Sequence, residues 1–172
     1  MGRYIVAIDP GNEYSAYVLI GPDLRPIAGV KMANEIMYDH MVRKIFETAA
    51  SNHDCKFDYA IEMIASYGMP VGAEVFDTCR WIGRLEERLK RAKVTLIFRK
   101  DEKMTLCNSM KANDATIKQA LIDRFAPGEK NYGKGTKAKP GWFYGFKADI
   151  WAAYAVGVTY HDMYLEGGEN GG

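Results

Sequence analysis

Cysteine and histidine are scarce in this sequence, and neither residue is spaced to bind a metal. The cysteines are Cys55, Cys79 and Cys107, and the histidines are His40, His53 and His161. An odd number of scattered cysteines fits buried, reduced thiols in a reducing cytosol rather than a disulfide framework. The composition therefore gives no support to a cysteine- or histidine-based metal centre or to a disulfide-stabilised secreted domain.

Long apolar runs are also missing. No run reaches the length of a membrane span, and the first residues lack the apolar core of a signal peptide. With 172 residues, of which 48% are hydrophobic, the chain is long enough to bury its own core. We therefore expect one cytoplasmic domain over residues 1–165, followed by a disordered tail over residues 166–172.

Net charge is small, at +1, but the charges are unevenly distributed. Residues 1–79 carry 6 Lys/Arg and 11 Asp/Glu, whereas residues 80–172 carry 17 and 11. The excess of cations in the second part favours a polyanionic partner, although a solvated helix face would give the same count. A glycine-rich loop over residues 127–144, too rich in glycine for regular structure, contains Lys130, Lys134, Lys137 and Lys139, which would contact phosphates.

Hydrophobic periodicity predicts a mixed α/β protein. The predicted strands cover residues 3–9, 14–20, 25–31, 57–62 and 94–98, and the predicted helices cover 34–50, 73–92, 115–125 and 148–163. Residues 100–108 form at most one irregular helical turn. This order, β-β-β-α-β-α-β-α-α, predicts a five-stranded mixed sheet flanked by helices, in which the helical crossover lets the first and fourth strands pair in parallel.

Three acidic residues stand at the ends of these elements. Asp9 and Glu62 end the first and fourth strands, so parallel pairing would bring them together, and Asp149 lies on the apolar face of the last helix. Taken singly, Asp9 is also an ordinary turn residue and Asp149 an ordinary N-terminal helix acid. Three converging carboxylates repel one another unless divalent cations join them, and oxygen ligands suit Mg²⁺ or Mn²⁺. Two such ions can catalyse phosphoryl displacement.

Three short motifs resemble the RuvC family of Holliday-junction resolvases, in the RNase H-like superfamily. They are Ile8-Asp9-Pro10-Gly11, Ala60-Ile61-Glu62 and Lys147-Ala148-Asp149, and residues 140–145 are similar to the approach to the last helix in compact phage and prophage members. The resemblance implies an RNase H-like fold and a homodimeric, Mg²⁺-dependent endonuclease that resolves four-way DNA junctions by paired symmetric nicks. It further implies recombination in a bacterial or phage-infected cytoplasm, with Asp9, Glu62 and Asp149 as catalytic ligands of two metal ions.

One position departs from that family. Where the family usually has a further acid or a histidine, three residues before the last Asp, this chain has Phe146. Asp114 is the candidate replacement, although its position is also that of a helix cap. The fourth metal ligand therefore stays open at this point.

The resemblance also implies DNA-binding residues. Lys111 and Lys118 match the region of the family's phosphate-binding lysines, and each is otherwise an ordinary solvated helix lysine. Tyr67 and Met69 lie in the loop where the family inserts an apolar residue into the junction centre, and each could instead pack under that loop. Helix 73–92 is the candidate dimer interface, because Phe76, Trp81 and Leu85 extend beyond a single apolar stripe.

Other functions remain open. An RNase H-like enzyme that cleaves RNA–DNA hybrids would use the same acids, and Phe146 keeps open a catalytically weakened junction-binding relative. An actin- or hexokinase-like ATP-binding protein would also place an Asp-x-Gly turn against phosphates. Such a protein needs two lobes and a second phosphate loop, for which this chain is too short, so we expect no nucleotide cofactor.

Overall fold

A computed structural model, which describes residues 2–166, contains a five-stranded sheet between two layers of helices. The strands are β1 (Gly2–Asp9), β2 (Tyr14–Ile20), β3 (Pro26–Ala33), β4 (Cys55–Met63) and β5 (Val94–Phe98). The helices are α1 (Asn34–Ser51), α2 (Ala73–Arg88), α3 (Arg99–Cys107), α4 (Asp114–Phe125) and α5 (Ala148–Tyr164). Apart from Glu166, the predicted disordered tail lies outside the described residues.

The sheet has the strand order β3-β2-β1-β4-β5. Strands β1, β2 and β3 form an antiparallel meander, whereas β1, β4 and β5 run parallel to one another. The predicted five-stranded mixed α/β fold is therefore confirmed. Strand β3 lies at the edge and begins at Pro26, which has no N–H to give to a neighbouring strand.

Successive residues of the central strand β1 point to opposite faces of the sheet. Val6 and Ile8 belong to the core beneath α1 and α2, and Ile5 and Ala7 belong to the core around α5. Helix α5 is buried on nearly every side from Ile150 to Tyr160, because the sheet covers one side and α3, α4 and the loop before α5 cover the other. No helix within residues 2–166 combines the length and the hydrophobicity needed to cross a membrane.

The loop between α4 and α5 is folded, which corrects the prediction that it lacks regular structure. It contains a 3₁₀ turn, Lys130–Gly133, and a bridge between Gly135 and Pro140. Trp142 stacks on the Phe125 ring with the centroids 5.0 Å apart, and its indole N–H donates to the Tyr154 hydroxyl at 2.9 Å. Aromatic packing against α5, rather than a long strand ladder, thus holds this loop in place.

Helix α3 corrects a second prediction, namely that residues 100–108 form at most one irregular helical turn. The structure has a nine-residue helix, Arg99–Cys107. Its start is stabilised by the Asp101 carboxylate, which accepts a hydrogen bond from the Phe98 backbone N–H at 3.0 Å. Helix α2 ends at Arg88, earlier than predicted.

Two helical glycines provide a test of how closely α5 packs on the sheet. A Cβ on Gly157 would lie 2.3 Å from Ile20 Cδ1 and 2.9 Å from Ala7 Cβ, whereas a Cβ on Gly83 of α2 would meet nothing within 4 Å. We expect Gly157→Ala to destabilise the protein by about 1–3 kcal/mol through overpacking. Gly83→Ala should stabilise it by about 0.5–1 kcal/mol through helix propensity. Urea unfolding of both variants measures this, and equal effects would contradict the close approach.

Candidate active site

A cavity of about 710 Å³ opens where the parallel strands end and α5 begins. Asp9, Glu62 and Asp149, the three predicted acids, all line it. The other lining residues are Arg99, Asp114, Ala115, Ile117, Lys118, Tyr132, Phe146, Lys147, Ala148, Trp151, Ala152 and Ala155. The lining therefore combines acidic, basic and aromatic side chains.

Asp9 and Glu62 lie together, as parallel pairing predicted. The register pairs Ile8 with Ile61, so both acids follow at corresponding positions at the strand ends. The Glu62 carboxyl group is close enough to act on the charge of Asp9. Burial, followed by the charge of Glu62, raises the pKa of Asp9 to about 8. Two carboxylates this close cannot both ionise readily unless a positive group joins them.

A polar network holds the turn that carries Asp9. The backbone N–H of Gly11 donates to Ser15 Oγ at 3.1 Å, and Ser15 Oγ also accepts from the Trp81 indole at 3.0 Å. Ser15 in turn donates to Asn34 Oδ1 at 2.7 Å, and the Asn34 amide returns a hydrogen bond to the Gly11 carbonyl at 3.1 Å. The position of Asp9 is thus tied to both α1 and α2.

Asp149 reaches the same cavity but turns toward a lysine. Its carboxylate forms an ion pair with Lys31 of the edge strand β3, and this hydrogen bond raises the pKa of Lys31. Within residues 2–166, the only set of three or more His, Cys, Asp or Glu side chains whose ligand atoms all lie within 4.8 Å of one another is that of His161, Asp162 and Glu166. The three predicted acids therefore share the cavity without meeting that closely.

The cluster of His161, Asp162 and Glu166 already has a counter-charge for its central carboxylate. Arg124 donates two hydrogen bonds to the Asp162 carboxylate, at 2.6 and 3.0 Å. The charge of that carboxylate is already balanced by the guanidinium, which is the pattern of a structural ion pair.

Sequence reasoning missed two residues next to Asp9 and Glu62, namely Arg99 and Glu102. Arg99 lines the cavity and donates from Nη1 to Glu102 Oε2 at 2.5 Å. Glu102 is completely buried, and burial together with the charge of Glu62 raises its pKa to about 8. Glu102 lies in a run of charged residues, 99–103, which resembles a solvated segment. The one feature of the sequence that pointed to a role for Glu102 was its position shortly after the predicted strand 94–98.

The two residues considered for the fourth ligand differ in their surroundings. Asp114 lines the cavity, but its side chain is 95% exposed and pairs with Arg99. Asn113, not Asp114, caps α4, since its side chain accepts from the Thr116 backbone N–H at 3.0 Å. Phe146 is buried edge-on against Phe143, and it contributes an apolar surface where the family usually has a polar ligand.

The predicted DNA-binding residues are spread over the surface. Lys118 lines the cavity, with its ammonium 4.8 Å from the Tyr132 ring centre and 4.9 Å from that of Trp151. Tyr67 and Met69 are 68% and 75% exposed, so neither packs under its loop. The remaining lysines do not line the cavity: Lys111, Lys130, Lys137 and Lys139 are exposed, and Lys134 is half-buried.

We expect the stability of the metal-free protein to fall as the pH rises from about 4 to about 8. The pKa of Asp9 is raised from 3.8 to about 8, so the folded state keeps a proton that the unfolded chain has released. This contribution is fully present below the unfolded pKa and is lost as the pH rises through the folded pKa. Thermal unfolding in EDTA should show a fall in Tm that is smaller for Asp9→Asn, by about 4 °C or more. Parallel curves for the two proteins would contradict this expectation.

Comparisons with solved structures identify the fold. Thermus thermophilus RuvC is 12% identical, with a TM-score of 0.63 over 97% of this chain and 97% of that chain. The same protein in complex with a Holliday junction substrate is 12% identical, with a TM-score of 0.59 over 95% and 97%. Fowlpox virus resolvase in complex with Holliday junction DNA is 14% identical, with a TM-score of 0.49 over 91% and 97%.

No protein-family model and no curated protein matches this sequence. At 12% identity, the two Thermus structures bear on the fold alone. They match nearly the whole length of the chain. The chain therefore has the RuvC-like resolvase fold that its sequence motifs predicted.

Proposed function

We propose that this protein is a metal-dependent endonuclease that resolves four-way DNA junctions in bacterial or phage recombination. The observation that carries this proposal is the meeting of Asp9, Glu62 and Asp149, from three separate elements, at one cavity that also presents cations. The same fold is seen in Thermus thermophilus RuvC, which has been captured with a Holliday junction substrate. A junction is therefore the substrate that this arrangement favours.

The donor set of the cavity fits a hard divalent cation. Asp9, Glu62 and Asp149 offer oxygen atoms only, and burial together with the neighbouring charge of Glu62 disfavours the ionised form of Asp9 by itself. We propose that these three residues bind two Mg²⁺ ions, or Mn²⁺ as a substitute. When bound, such ions supply an activated water and stabilise the leaving oxygen of the phosphodiester.

The chain's own cations would hold the phosphodiester beside the acids. Lys118 lies against the faces of Tyr132 and Trp151, which restricts its side chain and directs its charge into the cavity. Lys147 and Arg99 line the same cavity. These residues would orient the scissile phosphate, and the buried aromatic groups would keep water from one side of it.

Outside the cavity, the proposed DNA contacts are of two kinds. Tyr67 and Met69 extend from the loop after β4 and would meet unstacked bases at the junction centre. Lys111, Lys130, Lys134, Lys137 and Lys139 would contact backbone phosphates without reading sequence. Binding should therefore weaken as the salt concentration rises.

We also propose that the protein acts as a homodimer, because paired nicks need two active sites. Two of the three apolar residues that we predicted to form the dimer interface on α2 are not available to a partner. Trp81 and Leu85 are buried in the core of the same chain, so they offer no area to a partner. Phe76, at 62% exposure, stays available near the exposed loop of Tyr67 and Met69. The candidate dimer surface is thus the N-terminal part of α2.

The direct test of the proposal is Asp9→Asn. We expect this variant to bind a synthetic four-way junction with wild-type affinity and to cleave it at least about 100-fold more slowly, because it loses a metal ligand without changing shape. Gel-shift binding in Ca²⁺ and single-turnover cleavage in Mg²⁺ measure the two effects. Full cleavage by Asp9→Asn would refute the assignment.

The same assay separates the alternatives. Faster cleavage of an RNA–DNA hybrid than of a junction by the wild-type protein would favour an RNase H-like enzyme. Junction binding by the wild-type protein without metal-dependent nicking would identify a catalytically weakened relative.

A second prediction concerns Lys118. Lys118→Met keeps the apolar stem that packs on the aromatic rings and removes the charge. We expect junction cleavage at saturating protein to fall about 10-fold or more, because the scissile phosphate loses a cation inside the cavity. Lys111→Met is the matched control, since Lys111 lies outside the cavity, and it should affect binding more than the cleavage rate. Equal cleavage rates for both variants would contradict a role for Lys118 at the reacting phosphate.

A further inference from the structure

Glu102 lies at the same edge of the sheet as the proposed metal ligands. Strand β5 pairs in parallel with β4, with Ile97 opposite Glu62, so the chain leaves β5 beside the end of β4 that carries Glu62. Helix α3 starts immediately, at Arg99, and Glu102 lies in its first turns. The topology therefore brings a fourth acid to this edge from an element that carries none of the predicted ligands, and although Glu102 itself does not line the cavity, it is bonded to Arg99, which does.

The surroundings of Glu102 leave one of its oxygens without a partner. The side chain is 0% exposed. Oε2 accepts a hydrogen bond from Arg99 at 2.5 Å, whereas Oε1 has no hydrogen-bond partner. A buried carboxylate oxygen without a donor destabilises the folded protein, because the hydrogen bonds that it made to water are not replaced. A purely structural ion pair with Arg99 does not explain why this oxygen is left free.

The charges around Glu102 favour a positive ligand at that oxygen. Glu62 and Arg99 exert the largest electrostatic effects on its carboxyl group, and the charge of Glu102 is also felt at Asp9. The guanidinium of Arg99 is thus shared as a counter-charge between Glu102 and Asp114. A hard cation beside Asp9 and Glu62 would supply the missing partner for Oε1 and relieve the repulsion.

We infer that Glu102 is the fourth carboxylate of the cation site, supplied by α3 in place of the ligand that Phe146 cannot provide. This inference rests on the proposed metal-dependent function. Arg99 is a positioning residue in this arrangement, because its hydrogen bond to Oε2 leaves Oε1 to face the cation. The exposed Asp114 serves Arg99 and is not a ligand.

The test is Mn²⁺ binding to the metal-free full-length protein, followed by electron paramagnetic resonance and by the rise in Tm that Mn²⁺ causes. We expect Glu102→Gln to weaken Mn²⁺ binding at least about 10-fold and to reduce the rise in Tm. Glu102→Asp, which keeps the charge but retracts the oxygens, should also weaken binding. Glu86→Gln, which removes one exposed charge from α2, is the matched control and should bind Mn²⁺ like the wild type.

The outcomes separate this inference from the proposed function. Wild-type Mn²⁺ affinity in Glu102→Gln overturns the inference, and so does wild-type affinity in Glu102→Asp alone, because the acid would then act only through its charge at a distance. If the wild-type protein and Asp9→Asn bind Mn²⁺ equally, the proposed metal site itself is wrong. If Glu102→Gln fails to fold, as judged by circular dichroism in EDTA, Glu102→Asp decides the question by the same criterion.

Discussion

Mutual repulsion between carboxylates held at one edge of the sheet is the constraint around which this molecule is built. Parallel pairing of β1 with β4 brings Asp9 beside Glu62, and the helix that follows the next parallel strand carries Glu102, whose charge acts on both. Burial makes that repulsion stronger, because the protein interior screens charge less than water does. An arrangement so costly for stability is typical of a functional site rather than of a structural one.

The cations of the chain are placed to balance these acids without filling the space between them. Lys31 pairs with Asp149 from the edge strand, and Arg99 joins Glu102 and Asp114 on the other side. With these ion pairs in place, the cavity still has a volume of about 710 Å³, which leaves room for the proposed phosphodiester and its ions. The small net charge of the whole chain thus conceals a local separation of charge that suits a polyanionic substrate.

Rigid packing supports this chemistry from both sides of the sheet. On one side, Ser15 and Asn34 fix the turn that carries Asp9, and Trp81 anchors that network in the core. On the other side, the aromatic rings around Phe146 and Trp151 pack against the start of α5. Phe146 is part of this packing, which accounts for an apolar residue at a position where a polar ligand was expected.

The order of the strands and of every helix except α3, and the pairing of Asp9 with Glu62, could be predicted from the sequence, because periodicity, turn residues and the rule for parallel crossovers are local or nearly local signals. The burial of Glu102 could not, since its neighbours in the chain are charged and only the packing of α3 against α5 removes it from water. The exposure of Phe76 and the burial of Trp81 on one helix were likewise decided by tertiary contacts. Periodicity shows that a face is apolar, but the partner that covers that face depends on residues distant in the chain.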